Sequence, residues 1–271
     1  MREVKKDQHV IACIESPASA ETVIAYARHC AHMLNDKGIA LLNVSKEGGG
    51  EWLKQYGLPY MGLKGEWSTA IEGLPTALGG ILVVTAVSHK APRSSITHPG
   101  TLLRTFGRCK SAWLVVDGDG GLPSPTPAEG GFPATTAITL DHRRESKEKL
   151  IWGSYMARFL HSRLTIATPT YKDAGLRQRL DNNMRYLEKI YRPLGVEYST
   201  VALENTTFGN PDMAALERLR PELLIAMTSD PRDRDVVDWI VRRPERRLLE
   251  RRPYTPLLFL NQRDDLYILC D

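Results

Sequence analysis

Nine of the eighteen residues from Asp117 to Ala134 are glycine or proline, and no helix or strand period runs through them. Such a stretch cannot hold a core element, and it cuts the 271-residue chain near its midpoint. The reading is a linker over 117–134 between a domain over 1–116 and a domain over 135–271, the latter ending in a C-terminal tail. Each flank is long enough to bury a core of its own. With 42% hydrophobic and 25% charged residues, the chain does not have the composition of a disordered polymer.

The two flanks follow one scheme. The first opens with the apolar run His9 to Ile14, then an amphipathic helix through Val23, Ile24, Ala27, Ala31 and Leu34, capped by Ser16 or Ser19 and closed by Gly38. Strands are expected over 39–44, 81–86 and 112–116, with a helix over 101–108 and a Gly-rich, irregular stretch before residue 81. The second flank repeats strand and helix over 136–140, 150–159, 163–168, 174–191, 195–202, 211–219, 223–227, 244–252 and 256–260. Short apolar runs alternating with helices predict parallel sheets covered on both faces. Right-handed crossovers then give an α/β chain of two doubly wound, Rossmann-like domains in tandem. On the helix over 174–191 the stripe Leu176, Leu180, Met184, Leu187, Ile190 and Tyr191 reads as a core face.

Several function classes drop out. A net charge of +4 is mild for this length and calls for neither nucleic acid nor an anionic membrane. The eight arginines and five acidic residues of 232–252 read as a solvated, ion-paired helix, since no aromatic series interleaves with them to stack bases. No apolar run approaches the ~20 residues of a membrane helix, and Met1 to Asp7 do not read as a signal peptide, so a cytoplasmic chain is expected. Cys13, Cys30, Cys109 and Cys270 lack zinc or disulfide spacing, and His29-Cys30-Ala31-His32 reads as a helix with exposed histidines. Asp230, Asp233, Asp235 and Asp238 lack the glycine and terminal glutamate of a calcium loop. Ser16, His89 and Asp141 lie in different flanks and make no triad, so no catalytic or metal residue is assigned. The tail Leu266 to Cys270, after a polar spacer, reads as an edge strand pairing within the chain or with a second copy.

In the order of its parts the chain resembles the universal stress protein family in its tandem, two-domain form. The family opens with a strand ending V-A-x-D-x-S. Ile11 to Ser19 is similar, with Ser16 on the motif serine and Ile14 in the place of the aspartate. In the second flank Ala137 to Arg143 is similar, with Asp141 on that aspartate. The family closes with a strand, a glycine-bearing loop, a helix and a last strand. Residues 81–116 and 223–260 follow that order, and Tyr254-Thr255-Pro256-Leu257 resembles the final turn. The resemblance implies strand order 3-2-1-4-5 in each half and a pseudo-twofold arrangement of the halves.

ATP-binding members carry G-x2-G-x9-G-[S/T] after the fourth strand, where bare backbone closes on phosphates at a helix N-terminus. Here Gly100-Thr101 keeps the last pair, while Val87 and Lys90 stand on the earlier glycines; Lys90 and Arg93 read as solvated. The second flank has Thr228 to Asp233 without a glycine, and Val241-Arg242 in the last pair's place. Neither flank carries a complete site. The resemblance therefore implies a non-enzymatic stress-response or regulatory protein, without ATP as cofactor, acting through a protein partner, self-association or a small ligand. The alternatives are an ATP-binding member with weak ATPase activity and a soluble regulator of a membrane transporter. Any ligand belongs beyond the strand ends at the switch point. That places Cys13, Ser16, Thr85, Gly100 and Thr101 at one candidate pocket, and Asp141, Thr168, Thr228, Ser229 and Asp230 at the other.

Overall fold

The computed structural model describes residues 8–34, 36–45, 49–65, 79–106, 109, 111–120, 132–203, 213–228, 248–250 and 255–261. The chain divides into two compact units. Unit 1 takes Met1–Thr126 with Ser229–Asn261, and unit 2 takes Pro127–Thr228 with Gln262–Asp271.

Unit 1 runs β1 (His9–Cys13), α1 (Pro17–Met33), β2 (Gly38–Ser45), a 3-10 turn (Glu51–Tyr56), β3 (Tyr60–Lys64), β4 (Gly80–Val87), α2 (Pro99–Phe106) and β5 (Ala112–Asp117). Unit 2 runs β6 (Thr135–Thr139), α3 (Lys147–Leu160), β7 (Arg163–Pro169), α4 (Ala174–Tyr191), β8 (Tyr198–Leu203), α5 (Met213–Leu219) and β9 (Leu223–Met227). The last strand among the described residues, β10 (Leu257–Leu260), belongs to unit 1. The fold class is α/β, built from two doubly wound parallel-sheet modules.

In unit 1 the strand order is β3-β2-β1-β4-β5-β10, and β1 to β5 are parallel. In unit 2 it is β9-β6-β7-β8, all parallel. Central strands are buried on both faces, which is why β1, β4, β5 and β9 read as unbroken apolar runs. β3, of sequence Tyr-Met-Gly-Leu-Lys, lies at a sheet edge and is largely exposed, so the sequence showed only an irregular stretch there. The antiparallel ladder of β10 on β5, Leu258 opposite Leu114, was likewise not foreseen. Phe259 brings a ring within 5.4 Å of Phe106, which packs at 4.9 Å on the fully buried Trp113. Asn261 then donates to the carbonyls of Phe106 and Cys109 and ties the end of β10 to the turn after α2.

Ser16, in extended conformation, caps α1 through its backbone, and Pro17 supplies the preset φ of a first helical residue. The helix stops at Leu34, before Asp36 at φ +54°, and not at Gly38. Gly38 is instead the first residue of β2, where a Cβ would stand 2.8 Å from the ring of His9. In α3 the buried positions are Lys149, Leu150, Gly153, Ser154, Met156 and Leu160, while Ile151 and Tyr155 are half-buried and Phe159 is exposed. Of the stripe expected on α4 as a core face, Leu187 and Tyr191 are fully buried, while Leu176, Leu180, Met184 and Ile190 are half-buried. Tyr191 donates to the Leu150 carbonyl at 2.8 Å and fills the space a Cβ on Gly153 would need. Among the described residues no helix is long and apolar enough to cross a membrane.

Candidate functional site

β1 and β6 are the switch-point strands of their units, each flanked on one side by the strand after the first helix and on the other by the fourth strand. Beyond their C-terminal ends the chain leaves the sheet, at the place where doubly wound folds have their ligand crevice.

Ladder register brings the two exits into correspondence. Cys13 pairs with Leu42, and the Ile14 amide donates to the Leu42 carbonyl at 2.9 Å. Thr139 pairs with Ala167, and the Leu140 amide donates to the Ala167 carbonyl at 2.9 Å. Ile14 and Leu140 are thus equivalent, and both are fully buried. The counterpart of Asp141 is therefore Glu15. The expectation that Ile14 holds the aspartate's place is corrected by one residue, because Ile14 is the last core residue of the strand. The helices correspond as well: counted from Ser16 and Ser146, the buried Ser19, Ala20 and Val23 of α1 match Lys149, Leu150 and Gly153 of α3. Between exit and helix, unit 1 has the single residue Glu15, whereas unit 2 has five, 141–145.

In unit 1 the Glu15 carboxylate is held by the loop that follows β4. Its Oε2 accepts from the Thr97 hydroxyl at 2.9 Å and from the Ser95 hydroxyl. The two hydroxyls are 2.6 Å apart, and the Thr97 amide donates to Ser95 Oγ at 3.0 Å. Asn43 on β2 donates to the carbonyls of Ile14 and Glu15, at 2.8 and 3.3 Å. Of the residues assigned here from sequence, Cys13 and Thr85 are ladder partners, and both are buried. Burial pushes the Cys13 thiol well above its ordinary value, with the nearby Cys109 adding to the shift, so Cys13 is no thiolate nucleophile. Thr85 Oγ1 is buried without a hydrogen-bond partner among the described residues. Ser16 is exposed at the start of α1. At the start of α2 the Gly100 amide donates to His98 Nδ1 at 3.1 Å and the Thr101 hydroxyl to the Arg93 carbonyl at 2.8 Å. Both groups are spent on the loop itself.

In unit 2 the Asp141 carboxylate is enclosed by its own longer loop. Oδ2 accepts from Arg143 Nε at 2.9 Å and Nη2 at 2.7 Å. Oδ1 accepts from the Arg143 amide at 2.9 Å and from the Ser146 hydroxyl. Lys149 Nζ stands 3.9 Å from Oδ2, its side chain only 1% exposed. Burial works to raise the Asp141 carboxyl; the charges of Lys149 and Arg143, with hydrogen bonds from Arg143 and Ser146, outweigh it and hold the group well below the usual carboxylate range. Burial pushes Lys149 down to about 8, opposed by Asp141 and aided by Arg143. Asn183 on α4 donates to the carbonyls of Asp141 and Arg143 at 2.7 and 2.8 Å, the counterpart of Asn43. Tyr171 lies 2.8 Å from His142 Nδ1 and is pushed up to about 12, chiefly by burial.

Thr168 is half-buried near the end of β7, and Thr228 is buried just after β9. Ser229 and Asp230 lie outside the described residues, as do the arginine-rich 232–247 and the tail Leu266 to Cys270. Sequence reasoning missed Glu15, Ser95, Thr97, Arg143, Lys149 and Asn183. The available signal was a lysine three residues after a serine cap, at a position α1 fills with a buried Ser19. Among the described residues no group of three or more histidines, cysteines or carboxylates is placed to hold a metal ion.

No family model matches the chain, and no curated protein is significantly similar to it. Solved structures are similar in fold. A universal stress protein from Archaeoglobus fulgidus DSM 4304 superposes with a TM-score of 0.66 at 10% identity, covering 95% of this chain and 100% of the other. A protein from Pseudomonas aeruginosa PAO1 described as functionally unknown gives 0.61 at 12% identity, covering 95% and 94%. The cytoplasmic domain of a prokaryotic cation chloride cotransporter gives 0.57 at 12% identity, covering 97% and 100%. At these identities the likeness is one of fold: the chain shares the fold of universal stress protein structures, at a distance.

Proposed function

We propose that this chain is a non-enzymatic regulatory protein of the universal stress protein type, cytoplasmic, acting through contact with another protein or a small ligand and not through ATP. In this reading 1–116 and 135–271 descend from one duplicated module, which accords with the matching strand exits and helix positions of the two halves. One observation carries the reading. At both switch points the carboxylate that could orient a nucleoside already accepts from the protein's own donors, Ser95 and Thr97 on one oxygen of Glu15, Arg143 and Ser146 on both oxygens of Asp141. A nucleotide would have to break those bonds before forming its own.

Thermal unfolding with magnesium and ATP tests this directly. A ligand at a hundred times its dissociation constant adds about 2.7 kcal/mol of stability. We expect no rise in Tm at millimolar ATP, and no nucleotide released when the purified protein is denatured. A saturable rise, or co-purified nucleotide, would overturn the reading in favour of an ATP-binding protein with weak ATPase activity.

A second reading has support of its own. The likeness to the cotransporter's cytoplasmic domain extends over nearly all of both chains, in line with a soluble regulator of a membrane transporter. Capture of a transporter from detergent-solubilised membranes, and not from the soluble fraction, would select it over a free cytosolic role.

A further inference from the structure

Among the described residues of unit 2, Lys149 carries an ammonium on a nearly fully buried side chain. It occupies the first turn of α3, where the helix dipole already disfavours a cation. Its side chain is 1% exposed, against 35% for Arg143, so it has given up nearly all its water. What it receives in return is a carboxylate oxygen 3.9 Å away, beyond hydrogen-bond reach, whose lone pairs are occupied by Arg143. Arg143 keeps its charge at any physiological pH, so a proton leaving this cluster leaves Lys149.

The other groups around the site do not compete for that role. On the β6–α3 loop and the first turn of α3, Asp141 is held ionised, His142, Lys147 and Glu148 are half-buried, and Arg144 is exposed. The Glu145 side chain lies outside the described residues. From α4, packed on α3, come the uncharged Asn183 and the Tyr191 phenol, which burial pushes above its ordinary value. From the loop after β7 comes Tyr171, likewise raised and neutral. β6 and β9, the strands beneath α3, carry no charged side chain, and the one on β7, Arg163, is exposed at its far end.

We propose that Lys149 is a built-in sensor of alkaline pH: loss of its proton removes a buried charge from beneath the β6–α3 loop and, although it takes one partner from Asp141, stabilises the fold. The inference is independent of what, if anything, the crevice binds. Burial places the transition near 8, where an ordinary lysine titrates near 10.5. Between those values Lys149 keeps its proton in the unfolded chain and has lost it in the folded one, so its own contribution to stability rises with pH across that window. The buried thiols of Cys13, Cys30 and Cys109, pushed above their ordinary value, pull the other way, and comparison with a variant isolates the lysine.

Two measurements test the proposal on the full chain. With 13C-labelled lysine, the ε resonances of the wild type should show one lysine titrating near 8. That resonance should be missing from Lys149→Met. Urea unfolding from pH 7 to 10.5 should show the wild-type unfolding constant falling on the order of a hundredfold relative to Lys149→Met. Lys189→Met, on the exposed side of α4, should keep the wild-type slope. Lysines that all titrate together near 10.5 would overturn the proposal even if Lys149→Met does not fold. Equal pH slopes in wild type and a folded Lys149→Met would overturn it as well.

Discussion

Glu15 and Asp141 stand at the same backbone position, one residue past the last core residue of a switch-point strand, yet they are satisfied in opposite ways. Glu15 runs straight into the cap of α1, so no donor from its own loop can reach back, and neutral hydroxyls come from across the crevice, on the loop after β4. Asp141 is followed by four more residues before Ser146, enough for Arg143 to turn back and fork onto it. In unit 1 the carboxylate joins two segments 80 residues apart, and in unit 2 it closes a single loop. Loop length, more than the identity of the acid, decides whether such a carboxylate is a tie between segments or the centre of a charge cluster.

The comparison breaks most visibly at Asp141. Asp141→Ala leaves Arg143 without its fork and Lys149 without the carboxylate that favours its charge, so that Lys149 sheds its proton at still lower pH; the loss should be about 2–3 kcal/mol in urea unfolding at pH 7. Because the Asp141 carboxyl is held below its ordinary 3.8, its contribution is complete above that pH and fades as pH falls beneath it. Wild type and variant should therefore converge in acid. Glu15→Ala should cost less, about 1–2 kcal/mol, since the hydroxyls it strands are neutral and part of the site meets water. Equal losses at the two positions would mean that cation and hydroxyl donors hold these carboxylates alike, and that the distinction drawn from loop length has no energetic content.

How much of this was legible follows from where each signal lives. Central strands buried on both faces leave unbroken apolar runs, so β1, β4, β5 and β9 could be read directly, and with them the doubly wound class. β3 left no such run, because an edge strand with exposed Met61 and Lys64 has no reason to be apolar. The α3 helix could be located but its inner face could not. Its large apolar residues Tyr155 and Phe159 stack on the outer side, while Lys149, Gly153 and Ser154 lie within. A buried lysine looks like a surface lysine until the carboxylate beside it is known. At the crevices, Asp141 was found by motif, but Glu15 was passed over because the motif was matched residue for residue. The end of the buried run, which makes Ile14 the last core residue and Glu15 its polar successor, was the better guide.

The smallest effect sharpens the comparison from within unit 1. Thr85 lies on β4 opposite Cys13, fully buried, and its hydroxyl finds no partner among the described residues. Its neighbours along the strand, Val83 and Val84, have the same bulk without the oxygen. A buried hydroxyl without a bond has lost its water for nothing, so Thr85→Val should raise stability by about 1 kcal/mol, seen as a higher urea midpoint with an unchanged m-value. The same change at Thr97, whose hydroxyl donates to Glu15, should lower it. If Thr85→Val also destabilises, the Thr85 hydroxyl is bonded in solution, and the polar network at the first crevice extends past Glu15 into the sheet.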